Sequence, residues 1–169
     1  MLLKNPLYWI FLFICSSDDR FKLLPLYFAV YQDGNFLTEF FILASGDLAM
    51  LMVSSMEDTI PFNIGIFFFT IFVWLRLEVE KEEQPKQSWS IFFFPTIACL
   101  LIYFYPITQL LLQIYIFSLA SLLAFHLSWG YLLYALSDCL LLVSLRYRFP
   151  YDWMLIRLIY WSGLTLLYQ

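Results

Sequence analysis

Two aspartates lie inside long apolar stretches of the chain, and their type and position suit them best for chemistry. Asp138 is near the middle of WGYLLYALSDCLLLVSL, residues 129–145, with no other charge before Arg146. Asp47 has a similar setting in FLTEFFILASGDLAMLMVS, residues 36–54. Each stretch approaches the ~20 residues that a helix needs to cross a bilayer. A carboxylate at that depth costs roughly 2.5–3.5 kcal/mol, so it usually faces a bundle interior or a wet cavity.

The composition of the chain places it among membrane proteins. Of its 169 residues 63% are hydrophobic, 22% are aromatic and only 13% are charged. Ordinary soluble domains are nearer ~45–50% apolar, and the mean hydropathy here is +0.79. The net charge of −4, without a basic stripe, argues against a nucleic-acid partner. We therefore expect a multi-pass integral membrane protein that forms a single transmembrane helical domain over residues 1–169.

The cysteine and histidine content argues against a metal site. Cys15, Cys99 and Cys139 are widely spaced and lie within apolar segments, and His126 is the only histidine. Neither a disulfide framework nor the usual ligand spacing for zinc is present. We expect a site that uses no metal and no other cofactor.

The apolar segments of the chain predict an all-α fold, a polytopic membrane helix bundle with about eight transmembrane helices. Turn or charged residues separate the segments, which cover residues 2–15, 21–31, 36–54, 62–77, 89–105, 108–125, 129–145 and 153–168. The first two are shorter than the ~20 residues expected for a span. Six or seven spans is therefore the alternative.

The order of the segments predicts where the two aspartates lie. If there are eight spans, the third and the seventh run in the same direction and hold Asp47 and Asp138 at similar depth. The local sequences ASGD and LSD, each followed by an aliphatic run, resemble each other about half a chain apart. This similarity hints at a duplicated four-helix unit. We expect the two carboxyl groups to converge in one pocket.

Several motifs occur in an order that is typical of one membrane protein family. They are Lys22 with Pro25, Ser45-Gly46-Asp47, the fourth segment with Phe62, Gly65 and Phe69, Ser137-Asp138, and a basic and aromatic turn before a helix with Tyr160. From Lys22 onward the chain resembles the YhhN-like lysoplasmalogenase family. It departs from the family at Phe72-Val73-Trp74-Leu75, where a histidine and then a tyrosine are common. It also departs at Ser162-Gly163, where a glutamine often follows the tyrosine.

The resemblance implies a hydrolase that cleaves the vinyl ether of a lysoplasmalogen, a lysophospholipid, into a fatty aldehyde and a glycerophospho-head group. Two carboxyls suit this reaction because protonation at carbon gives an oxocarbenium ion, which water then captures. One carboxyl acts as the acid, and the other stabilises the cation or orients the water, as in glycosidases. Burial disfavours the charged form of a carboxyl, and neighbouring carboxyls share protons. Asp47 and Asp138 are the predicted catalytic pair.

Helical spacing places further residues near this pair. Tyr131 and Tyr134 lie one to two turns before Asp138 on roughly its face, where they would donate hydrogen bonds or line the lipid chain. Arg157 and Tyr160 share a face of the last helix, and Arg157 would meet a phosphate or balance Asp138.

Lys22 begins the second segment, where a head-group phosphate would lie. We expect Lys22, Tyr131, Tyr134, Arg157 and Tyr160 to bind substrate. The structural alternatives are an interfacial anchor for Lys22, interior packing for the two tyrosines and an ion pair or snorkelling for Arg157.

A different class of protein fits the same aspartates. In a small transporter, midplane carboxylates relay protons or bind a cation, and repeat-like halves are common. A hydrolase needs a lipid-wide cavity that opens sideways, whereas a transporter needs a path to both aqueous faces. A weaker third possibility is a scaffold whose aspartates only pair with Arg157. The resemblance favours the hydrolase.

Overall fold

The computed structural model describes residues 6–17, 37–53, 59–79, 89–104, 109–147 and 150–167. These residues form seven helices and no strand: α1 (Pro6–Ser17), α2 (Leu37–Leu51), α3 (Thr59–Val79), α4 (Ser90–Phe104), α5 (Leu110–Phe125), α6 (Trp129–Arg146) and α7 (Asp152–Leu167). The all-α prediction is confirmed for this part of the chain. The predicted segment over residues 21–31, with Lys22, lies outside the described residues.

Two of the described helices are long and apolar enough to cross a membrane. They are α3, with 21 residues, and α6, with 18 residues. Residues 41–51 of α2, residues 90–103 of α4 and the whole of α5 form shorter apolar helices. The count of about eight spans therefore stays a prediction.

The helices begin and end close to the predicted segments because charged and turn residues interrupt the apolar runs. Helix α3 extends the predicted segment at both ends, and Pro61 lies in its first turn, where no backbone N–H is required. Helix α1 continues to Ser17, two residues beyond the predicted end at Cys15. The Ser17 hydroxyl donates a hydrogen bond to the carbonyl oxygen of Ile14 at 2.8 Å and so satisfies a carbonyl of the last turn.

The described helices belong to two compact units. The first contains residues 1–40 and 129–169, and the second contains residues 41–128. The boundary falls inside α2, so residues 41–51 of that helix belong to the second unit. The single domain expected over residues 1–169 stays a prediction, and each unit is described by itself.

In the second unit, α2 and α3 pack closely through glycines. A Cβ atom on Gly46 would lie 2.7 Å from the ring of Phe69, and one on Gly65 would lie 2.6 Å from Sδ of Met50. Residue 46 faces residue 69 and residue 50 faces residue 65, so the contacts move forward along α2 and backward along α3. Helices α2 and α3 are therefore antiparallel, and the small residues permit their close approach.

Hydrogen bonds and ring contacts fix the direction of α5 relative to its neighbours. The rings of Phe69 and Tyr115 are 6.4 Å apart, and Trp74 Nε1 donates to Ser118 Oγ at 2.8 Å. From the first pair to the second, the residue number rises in both helices, so α3 and α5 are parallel. At the start of α4, the Ser90 hydroxyl donates to the carbonyl oxygen of Ala124 at the end of α5, at 2.6 Å. Helices α4 and α5 are therefore antiparallel.

Replacing Ser90 by alanine is expected to destabilise the α4–α5 pair by about 1 kcal/mol, because a buried interhelical hydrogen bond is lost. Unfolding of the purified protein in mixed detergent measures the change. Thr96→Val is the matched control, since the Thr96 hydroxyl bonds only to the carbonyl oxygen of Phe92 in its own helix. Equal effects of the two substitutions would contradict the assignment.

In the first unit, α6 and α7 form an antiparallel hairpin with almost no space between their backbones. A Cβ atom on Gly163 would lie 2.8 Å from the backbone nitrogen of Tyr134 and 3.0 Å from the carbonyl oxygen of Gly130. One turn further along α7, at its last residue, Leu167 lies against Gly130. Helix α1 packs on α7 and buries Leu12 and Cys15, among other residues.

Candidate functional site

The α6–α7 hairpin carries five of the seven predicted site residues. Asp138 lies on α6 with Tyr131 and Tyr134, and Arg157 and Tyr160 lie on α7. The rings of Tyr134 and Tyr160 meet across the hairpin, with centroids 5.7 Å apart and planes inclined by 39°. The structure thus brings Tyr134, predicted on α6 with Tyr131, into contact with Tyr160, predicted on α7 with Arg157.

The register of the hairpin places Asp138 close to the level of the predicted α7 residues. Gly163 lies opposite Tyr134, and Leu167 lies opposite Gly130. Continued along both helices, this antiparallel register puts Asp138 level with residue 159. Tyr160 and Arg157 are then within one helical turn of that level, because a turn rises ~5.4 Å. The backbone positions of Asp138, Arg157 and Tyr160 therefore lie within one helical turn of one another along the hairpin.

The cluster lies in the interior of the first unit. Tyr131 and Tyr134 are fully buried, Arg157 is 8% exposed and Asp138 is partly buried. A buried guanidinium does not lie along the helix surface, so snorkelling does not describe Arg157. Charged side chains in such an environment interact strongly because water screens them little. The arrangement can hold an anionic group, or orient a carboxyl, within an otherwise apolar hairpin.

The serines of both aspartate motifs serve the helix backbone. Ser137 Oγ donates to the carbonyl oxygen of Tyr134 at 2.6 Å, and Ser45 Oγ donates to the carbonyl oxygen of Phe41 at 2.7 Å. Each hydroxyl gives its only proton to the preceding turn of its own helix. The capacity for acid–base chemistry in the two motifs therefore rests on the aspartates.

Asp47 lies in the second unit and is 4% exposed. It follows Gly46 on α2, where the ring of Phe69 covers the helix. A carboxyl so deeply buried among apolar helices matches the expectation for this residue. Asp47 and Asp138 belong to different units, so their convergence in one pocket stays a prediction.

Trp161 and Glu39 are among the buried residues with a polar group in the first unit that were not predicted as site residues. Trp161 is 2% exposed and packs edge-on against Tyr160 at 4.9 Å, and its indole N–H has no hydrogen-bond partner within the described part of the chain. Glu39, in the first turn of α2, is also buried. The indication in the sequence was weak: one acidic residue at the start of an apolar helix, and a tryptophan directly after Tyr160.

Among the described residues, no group of three or more His, Cys, Asp or Glu side chains is placed to hold one metal ion. The fold and the site define an all-α protein that has two helices capable of spanning a membrane and acidic side chains buried in apolar helices. Comparisons with protein-family models, curated proteins and solved structures find no match for this chain.

Proposed function

We propose that this chain is a multi-pass membrane hydrolase of the lysoplasmalogenase type, which cleaves the vinyl ether of a lysoplasmalogen with Asp47 and Asp138. The observation that carries the proposal is the polar cluster of the α6–α7 hairpin. There Asp138 shares a level with the buried Arg157 and with the contact between Tyr134 and Tyr160. The resemblance of the two aspartate motifs to the YhhN-like family supplies the reaction.

The direction of the helices supports repeated membrane crossing. Helices α2 and α3, α4 and α5, and α6 and α7 are antiparallel pairs, and α3 and α5 are parallel. Within each unit, this alternation is what successive crossings of a bilayer require. Each described helix also exposes large apolar side chains, among them Leu7, Leu48, Ile60, Phe92, Leu110, Leu136 and Leu155. Lipid is the medium in which such surfaces are stable.

The proposed reaction needs one acid, one base and one water. The protonated carboxyl transfers its proton to the vinyl carbon that is not bonded to oxygen, and the ether carbon becomes an oxocarbenium ion. Water adds to that carbon while the second carboxylate accepts its proton. The resulting hemiacetal collapses, its C–O bond to glycerol breaks, and fatty aldehyde and the glycerophospho-head group leave. One water is consumed, and both carboxyls recover their starting protonation after proton exchange between them.

The other residues of the hairpin have roles consistent with this chemistry. Arg157 would bind the substrate phosphate or fix the charge of Asp138, because a guanidinium matches either oxyanion with paired hydrogen bonds. The faces of Tyr134 and Tyr160 would stabilise the developing cation. Tyr131 would line the lipid chain, and Lys22 would contact the head group at the membrane surface.

Aldehyde release from a lysoplasmalogen by the purified protein in detergent tests the proposal. The control substrate is the matching 1-alkyl lysophospholipid, which has a saturated ether and no carbon to protonate. We expect aldehyde from the vinyl ether alone, and in D₂O one deuterium at the carbon next to the carbonyl. No aldehyde from a folded protein would overturn the proposal and favour the transporter with the same aspartates.

The pH dependence of aldehyde release follows from the division of labour between the two carboxyls. The rate requires one protonated and one ionised group, so it is expected to fall on both sides of an optimum. Initial rates across the acidic and neutral range, with unfolding followed in parallel, measure the profile. A flat profile over the range in which the protein stays folded would contradict the paired-acid mechanism.

A further inference from the structure

The side chain of Trp161 on α7 holds a buried hydrogen-bond donor that the fold does not use. It is 2% exposed, and its indole N–H has no hydrogen-bond partner in the part of the chain that the structure describes. A buried donor without an acceptor lowers stability, so native proteins retain few of them. We propose that this N–H donates a hydrogen bond to a phosphate oxygen of a bound lysophospholipid. The inference rests on the proposed function, because it names a further residue that binds that substrate.

The polar side chains next to Trp161 on α7 serve the helix backbone. Ser162 Oγ donates to the carbonyl oxygen of Leu158, and Thr165 Oγ1 donates to the carbonyl oxygen of Trp161, both at 2.7 Å. These hydroxyls therefore give their protons to their own helix, as those of the aspartate motifs do. An indole N–H can only donate. The acceptor for Trp161 must come from a ligand, from water or from another part of the chain.

The charge beside Trp161 favours an anionic ligand among these acceptors. Arg157 lies four residues earlier on α7, so the two side chains are neighbours on one face of the helix. Arg157 is also the only buried basic residue in the described part of the first unit. A phosphate accepts several hydrogen bonds, and a guanidinium balances its charge. Arg157 and the indole N–H together therefore suit a phosphate better than they suit a neutral acceptor.

The register of the hairpin places Trp161 near the level of the reacting bond but on another side of α7. Asp138 is level with residue 159, two residues before Trp161, which corresponds to a rise of about 3 Å. Trp161 also comes two residues before Gly163, which faces α6, and a step of ~100° per residue turns it away from α6. In a lysoplasmalogen, glycerol separates the vinyl ether from the phosphate. An ether at Asp138 is then compatible with a phosphate beyond Tyr160, whose ring contacts Trp161 at 4.9 Å.

The indole N–H resonance of Trp161 tests the hydrogen bond directly. The whole chain is labelled with ¹⁵N-tryptophan in maltoside micelles, where its six tryptophans give six indole signals. The signal of Trp161 is the one that Trp161→Phe removes. Titration with a 1-alkyl lysophosphatidylcholine, whose saturated ether is not cleaved, is expected to move this proton resonance downfield. Titration with 1-alkylglycerol, which lacks the phosphate, is expected to leave it in place.

The affinity for the same two ligands provides the second measurement. Trp161→Phe is expected to weaken lysophospholipid binding by roughly tenfold or more, because a hydrogen bond to a charged group is lost, and to leave 1-alkylglycerol binding unchanged. Trp74→Phe is the matched control, since it removes an indole N–H that donates to Ser118 Oγ in the second unit. If Trp161→Phe does not fold, a tryptophan analogue with sulfur in place of the N–H is incorporated at residue 161. This analogue keeps the ring size and removes only the donor.

An indole signal that stays in place with the lysophospholipid would overturn the inference and assign the N–H to water or to another part of the chain. An equal shift with 1-alkylglycerol would exclude the phosphate as the acceptor, and an equal shift with inorganic phosphate alone would assign the site to the free ion. Aldehyde release from a lysoplasmalogen is measured on the same preparation. A shift without aldehyde would retain the lipid site and overturn the hydrolase, whereas aldehyde without a shift would do the reverse.

Discussion

If the proposed function holds, replacing Asp138 by asparagine is expected to lower aldehyde release from a lysoplasmalogen by about 10²–10⁴-fold, the usual contribution of one acid–base group. Asparagine keeps the size and shape of the side chain but can neither supply nor accept the proton. The contact between Tyr134 and Tyr160 is expected to remain, because it does not involve residue 138. Initial rates at saturating substrate show the loss in kcat, with KM changed much less.

Asp47→Asn is expected to cause a loss of the same order, because the reaction needs both a proton donor and a proton acceptor. The rate of aldehyde release by the double variant is expected to lie within a small factor of the rate of either single variant. Residues that act as a unit lose their joint contribution once either is removed. Multiplied losses in the double variant would show that the two carboxyls act independently and would contradict the paired site.

Asp152→Asn provides the matched control for both substitutions. Asp152 is buried at the start of α7, and its carboxylate accepts a hydrogen bond from the backbone N–H of Trp153 at 2.7 Å. The side-chain oxygen of asparagine can accept the same hydrogen bond, so this change outside the site should leave the rate unchanged.

Stability separates catalysis from a scaffold role of Asp138. If Asp138 served only to balance Arg157, its loss would leave a buried charge uncompensated and destabilise the protein by ~3–5 kcal/mol. An inactive but equally stable Asp138→Asn variant supports the catalytic role.

The helices were predictable from the sequence because their ends are marked by charge. Helix α6 begins at the predicted Trp129 and extends one residue beyond the predicted end, to Arg146, and α5 ends at the predicted Phe125. In both cases an apolar run long enough to form a helix stops at polar or charged residues, which lie at higher free energy in an apolar medium. The grouping of Asp138 with Tyr134 on one helix followed from the same periodicity. The contact of Tyr134 with Tyr160 needed the helix register, which hydropathy does not encode.

The close packing of the helices was not predictable from the sequence. Gly46 and Gly65 were read as parts of motifs, and Gly163 as a departure from a family pattern. The structure gives them a shared physical role, because each allows a neighbouring helix to approach its backbone. A glycine carries no periodic signal that identifies which helix it faces.

Gly163→Ala is expected to destabilise the protein by about 1–3 kcal/mol, the range for inserting a methyl group into a filled interior. The added Cβ would lie 2.8 Å from the backbone nitrogen of Tyr134 and 3.0 Å from the carbonyl oxygen of Gly130. Backbone atoms of a helix cannot rotate aside as a side chain does, so α6 and α7 must separate. Alanine is also the better helix former, so a loss of stability cannot come from helix propensity. Unfolding in mixed detergent measures the effect.

Gly65→Ala is the control that isolates this argument. Its added Cβ would lie 2.6 Å from Sδ of Met50, a closer contact than the one at Gly163. The thioether of methionine is flexible and can rotate away, so the cost is expected to be small or offset by helix propensity. A large loss of stability in Gly65→Ala with none in Gly163→Ala would contradict the argument. It would show that contact with backbone atoms does not set the distance between α6 and α7. Separation of α6 and α7 in Gly163→Ala would also move Tyr134 away from Tyr160. Aldehyde release is then expected to fall together with stability.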